Sequence, residues 1–185
     1  MNWKRAFPIA SVLAVGAVVF TLRTVSAAPT PASAPSRALD DATIVAIFDA
    51  ANTADIETGD LGAKKGSTKA IRDFGAMLSR DHHNVRQQGR DLAKKLGVTP
   101  TPPKDDNSAK DHAAIMKKLN GLSGAEFDKA FLENEVGYHD AVIGAVKQTL
   151  LPAIQNAELK DLVVKVAPAF AAHRDAAKNM LEKGM

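Results

Sequence analysis

The chain has 185 residues, room for one domain plus a targeting segment, and its 24 basic residues exceed its 21 acidic ones by three. It contains no cysteine, which excludes disulfides, thiol catalysis, iron–sulfur clusters, cysteine-ligated zinc and acylation on an N-terminal cysteine. The whole basic excess sits in Lys4, Arg5 and Arg23; beyond residue 27 the counts are 21 and 21, so nothing suggests a nucleic-acid surface.

The first residues carry Lys4 and Arg5, followed by an uncharged run from Ala6 to Leu22 and then Val25-Ser-Ala-Ala28. A basic start, an apolar stretch and small residues at a cleavage point are the three parts of a secretory signal peptide. Residues 1–27 are read as that signal, with cleavage after Ala27 or, as the alternative, after Ala28. An uncleaved anchor is the competing reading, since the run is near the lower length limit for spanning a bilayer. Export places the remainder in the periplasm, with outer-membrane association left open. Residues 28–38, rich in proline, alanine and serine, form an extended tether.

Residues 39–185 are predicted to form one all-α domain. The first long helix is predicted over Asp41–Ala63, with Ile44, Ile47, Phe48, Ala51, Ala54 and Leu61 at helical spacing and Lys64-Lys65-Gly66 as the stop. The second starts from Ser67 as N-cap, carries Ile71, Phe74, Leu78, Val85, Leu92 and Leu96, and ends at Gly97. Residues 98–122 are too many for a tight helical hairpin and read as a crossover with a short helix over Asp111–Leu119. The third long helix opens on a capping-box pattern, Ser123 to Glu126, and buries Phe127, Phe131, Leu132, Tyr138, Val142, Ile143 and Val146. After a turn marked by Pro152 and Asn156, the fourth carries Leu159, Leu162, Val163, Val166, Phe170, Ala177, Met180 and Leu181, with a kink expected at Pro168. Four long helices with two short connections and one long crossover predict a ferritin-like four-helix bundle.

Three histidines, His82, His139 and His173, fall on the apolar stripes of separate helices. Imidazole inside a bundle needs a hydrogen bond, a carboxylate or a metal. His82 lies 15 residues after Ser67 and His139 lies 16 after Ser123. If the crossover makes those helices parallel, the two rings share a level within one rise of about 1.5 Å. Folding the last two helices about Ile154 sets Glu135 opposite His173, one turn from His139. On the first helix, a pivot near Lys65 sets Asp49 opposite His82, with Asn52 one turn away. Glu57 lies on the stripe of Ile47, Ala50, Ala54 and Leu61 and is held as a further ligand.

The candidate metal ligands are therefore His82, His139, His173, Glu57 and Glu135, a set suited to a transition metal such as Zn, Cu, Fe or Mn. The bland alternative is a hydrogen-bonded polar layer without metal. His83 shares its face with Arg80, Gln87 and Arg90 and reads as solvated. His112 and Met116, spaced i,i+4, can make a soft copper contact, but packing of Met116 with Ile115 and Leu119 is the preferred reading. No histidine has a glutamate three residues before it, as the dinuclear carboxylate bundles require.

The stretches Phe74 to His82, Phe131 to His139 and Ala167 to His173 occur in that order, with Glu57 upstream. In these residues the chain resembles the bacterial family known as domain of unknown function 4142, from about Asp41 onward. The resemblance implies an exported, ferritin-like bundle of predicted periplasmic or outer-membrane location and, matched residue by residue, carries over Glu57, His82, His139 and His173. Glu135 departs from the family, which often has methionine or glutamine near that position. Function then reads as an exported bundle of unestablished activity, binding a transition metal, in envelope homeostasis or stress tolerance, with an envelope protein as the conceivable partner. The reading leans away from an enzyme. A mononuclear metal oxidase or peroxide-handling bundle, and a non-metal interaction module, are the alternatives.

Overall fold

The computed structural model describes residues 39–184, so the segments read as signal peptide and tether lie outside them. In chain order the elements are α1 (Asp41–Lys65), α2 (Lys69–Leu96), α3 (Ser108–Asn120), α4 (Gly124–Ala145), a π-helical turn (Val146–Leu150), the short α5 (Leu151–Ala153) and α6 (Ala157–Glu182). No strand occurs among the described residues, and none of their helices is long and apolar enough to cross a membrane. The fold is a ferritin-like four-helix bundle in which α1 packs chiefly on α2 and α4 on α6, with α3 carried on the long crossover.

The helix ends follow from local chemistry. The Asp40 carboxylate accepts the Thr43 N–H at 2.9 Å, and the Asn156 side chain accepts the Leu159 N–H at 3.1 Å, each satisfying an orphan donor of a first turn. Thr68, not Ser67, caps α2, its hydroxyl accepting the Ile71 N–H at 3.2 Å. Ser67 is used elsewhere: its N–H donates to buried Asp128 at 2.9 Å and its hydroxyl donates to the same carboxylate, tying the α1–α2 turn to α4. Gly97 ends α2 with φ at 65°, where a side chain would be strained. Ser123 stands at the start of α4, but its side chain makes no capping bond. Gly124 follows it with φ at 57°, and a capping box needs helical dihedrals directly after the cap. α6 runs through Pro168 as one helix.

Two backbone approaches fix the first hairpin. A Cβ on Gly75 would lie 2.4 Å from the Ala63 nitrogen, and one on Gly59 would lie 2.8 Å from the Gly75 carbonyl oxygen. The two helices therefore touch backbone to backbone here, which no larger residue would allow.

Apolar side chains form two clusters, one toward each end of the bundle. One joins Ile44 and Phe48 of early α1 with Val85 and Ala93 of late α2, the π turn and early α6. The other joins Leu61 of late α1, Ile71, Phe74 and Leu78 of early α2, Phe127 and Phe131 of early α4, and Ala177 of late α6. Early α2 meeting early α4 shows that the crossover runs those two helices in the same direction, as expected for this topology. Between the clusters lies a layer of buried polar side chains.

Candidate metal centre

Each helix of the bundle contributes to that layer at mid-length. α1 supplies Asn52 and Asp55, α2 His82, α4 Glu135 and His139, and α6 His173, all between 0 and 5% exposed. One ring nitrogen from each of His82, His139 and His173 lies within 4.8 Å of the others, and Asp55, Glu135 and His139 form a second group within the same limit. His139 belongs to both, so five side chains converge on one region.

The protons can be placed from the outer contacts. The Asn52 amide nitrogen donates to the Phe48 carbonyl at 2.8 Å, so its oxygen is the atom 2.9 Å from His82 Nδ1. His82 Nδ1 must then carry a proton, and Nε2 a lone pair. His139 Nδ1 donates to the Glu135 carbonyl at 2.9 Å, which leaves the lone pair on Nε2. His173 Nε2 lies 3.3 Å from a carboxylate oxygen of half-exposed Asp81, which likewise puts the lone pair on Nδ1. Each ring is thus oriented by an outer acceptor while its other nitrogen faces the centre, the arrangement that second-sphere partners impose on metal-binding imidazoles.

Inside the layer acceptors face acceptors. His82 Nε2 is 3.3 Å from His173 Nδ1 and 3.5 Å from an Asp55 oxygen. Asp55 Oδ1, Glu135 Oε2 and His139 Nε2 are buried with no hydrogen-bond partner. A purely structural polar layer would pair donors with acceptors, because an unsatisfied buried polar atom costs about 1–3 kcal/mol. Here three imidazole lone pairs and two carboxylates meet with little to donate to them beyond a proton shared by the carboxylates and the Asn134 amide, 3.4 Å from Glu135 Oε1.

Titration follows the same geometry. Burial, with the His139 and His173 rings nearby, holds His82 well below the ordinary imidazole range; burial with the His173 ring lowers His139 to about 4, and burial also lowers His173. Burial pushes Glu135 up to about 7, and burial together with the Glu135 charge raises Asp55. Tyr138, also raised by burial, donates to the Ala51 carbonyl at 3.1 Å beside the layer. Neutral imidazoles are competent ligands, whereas the carboxylates must shed protons to bind a cation.

The structure thus brings together four of the five candidate residues read from sequence: His82, Glu135, His139 and His173. Glu57 is a correction: it is exposed and pairs with His112 of α3, Oε2 to Nε2, at 2.7 Å. Asp55 stands in its place. Two residues along a helix turn a side chain by about 200°, so these carboxylates point to opposite sides. The inward line of α1 that meets α2 runs through Phe48, Asn52, Asp55, Gly59 and Gly62, small or polar from Asn52 onward. Asp49, expected opposite His82, instead binds Arg90 at the surface. The register differs because α1 and α2 fold about Ser67, where Gly59 meets Gly75, and not about Lys65. His83 is exposed beside Arg86, and Met116 packs with Ile115 against buried Leu119.

Among solved structures the chain is similar to a crystal structure of a DUF305 fragment from Deinococcus radiodurans, at 12% identity with a TM-score of 0.67. The match covers 77% of this chain and 95% of that one. At that identity the likeness speaks for the helical fold alone. No curated protein matches the sequence. The family model described as Domain of unknown function (DUF4142) matches residues 26–180, and the chain belongs to that family.

Proposed function

We propose that this protein is an exported bundle that holds one divalent transition-metal ion through Asp55, His82, Glu135, His139 and His173. Its role is metal-linked homeostasis or stress tolerance in the cell envelope. The observation that carries the reading is the convergence of buried ligand atoms, three of them without any hydrogen-bond partner. Two carboxylates match the charge of a divalent ion, and three imidazoles with two carboxylates suit Zn, Cu(II), Fe or Mn better than a soft monovalent ion. Asn52, the Glu135 carbonyl and Asp81 hold the imidazoles in the ligating tautomer.

Export rests on the basic, apolar and small-residue pattern of residues 1–27. The bundle contains none of the Glu-x-x-His pairs of dinuclear carboxylate proteins, which favours a single ion. Elemental analysis of untagged protein, followed by titration of the chelator-treated form, tests the proposal. Absence of any transition metal, together with no affinity tighter than about 10 µM, defeats it.

A further inference from the structure

A second feature touches the layer from one side. A cleft of about 50 Å³ opens between α1 and the end of α4. Its rim is Ile47, Ala51, Val142 and Ala145, all half-buried, and its inner end includes Asp55 and His82. The volume is well above the roughly 10–15 Å³ that one water occupies by a comparable measure. α1 and α4 touch far less than the paired helices of each hairpin do, and so leave this gap. The far wall is the π turn, where Val146 and Leu150 are both buried. Such wide turns interrupt the regular helical ladder and recur beside functional sites. Phe170 completes the wall and stacks on the His82 ring at 5.7 Å, with an interplanar angle of 7°.

The chemistry of the lining selects the occupant. Apart from Asn52 and the two ligand residues, every lining side chain is hydrocarbon. The Asn52 amide is already engaged on both atoms, with the Phe48 carbonyl and His82. An ion or a strongly hydrated molecule would lose its water and find nothing in return until it reached Asp55. A small apolar molecule meets no such cost.

We infer that the cleft admits a neutral apolar diatomic of the dioxygen or nitric oxide class and delivers it to the Asp55–His82 side of the metal position. The inference rests on the metal reading above and adds to it a ligand and a direction of approach. Its inner end lies on two of the five ligands, so a bound diatomic adjoins the ion.

Two measurements test it. Xenon is the probe for the cleft in metal-free protein: pressurised crystals should show xenon among Ile47, Val142 and Ala145 in the wild type and none in Ala145→Leu. Nitric oxide is the probe for delivery: Fe(II)-loaded protein should give the iron–nitrosyl EPR signal, forming about tenfold more slowly or worse in Ala145→Leu at unchanged iron content. Ile47→Phe, at the half-buried rim, serves as the plug if Ala145→Leu does not fold. Metal bound with no xenon in the wild-type cleft overturns this inference alone, as does an unchanged nitrosyl rate in a plugged variant. Failure to bind any metal overturns the parent reading instead.

Discussion

Replacing Glu135 with glutamine should stabilise the metal-free protein, an advantage that metal binding to the wild type offsets. Glu135 is fully buried and its pKa is raised from 4.5 to about 7, chiefly by burial. A carboxyl raised in the fold contributes stability that is complete below its unfolded pKa and is lost as pH climbs through the folded one. Between pH 4.5 and 7 the metal-free fold therefore loses about 3 kcal/mol on this account, at about 1.4 kcal/mol per tenfold change in proton activity. Glutamine keeps the shape and the approach of Asn134, carries no charge, and can donate to the unpartnered Asp55 Oδ1. Its neutrality also removes the charge that raises Asp55. Urea unfolding of chelator-treated protein should show the variant about 2–3 kcal/mol more stable than wild type at pH 8, with the gap closing by pH 5. Zinc at a hundredfold excess over its Kd adds about 2.7 kcal/mol to the wild type, enough to cancel or reverse the order if the variant has lost affinity. A metal-free variant less stable than wild type at pH 8 would refute the placement of a strained, buried carboxylate here.

Three further outcomes follow from the same geometry. His139→Ala should lower the thermal midpoint mainly in metal-loaded protein, since its Nε2 has no partner without an ion; equal losses with and without metal in calorimetry would favour a structural layer. Asp81→Asn leaves the five inner side chains in place but weakens the acceptor that fixes the His173 tautomer, so metal affinity by competition titration should fall about 10–100-fold. Gly75→Ala drives a methyl group to within 2.4 Å of the α1 backbone, and chemical denaturation should register a loss of at least about 1–3 kcal/mol, in keeping with an overpacked core.

The bundle was legible because α2, α4 and α6 present large apolar residues at helical spacing and because the crossover is too long for a hairpin. The same regularity located His82, His139, His173 and Glu135 at one height. α1 resisted this reading. Its buried residues include Ile44, Phe48, Ile56 and Leu61, but around mid-length also Asn52, Asp55, Thr58, Gly59 and Gly62, so apolar spacing alone does not mark the inside there, and Glu57 faces solvent. Gly59 and Gly75 were the signal available: two glycines equidistant from Ser67 would have set the fold-back point and brought Asn52 opposite His82. The π turn left no mark in the sequence, since Val146–Leu150 continues the helical pattern that precedes it. The fate of Ser123 depended on the left-handed Gly124 beside it.

The glycine contact also governs how the donor set is partitioned. Asp55 and His82 belong to one pair of rods, locked together by main-chain contact, while Glu135, His139 and His173 belong to the other. An ion between them bridges a seam that covalent chain crosses only once, through residues 97–123. Affinity for the ion and adhesion between the two halves are then a single thermodynamic quantity, measurable from either end.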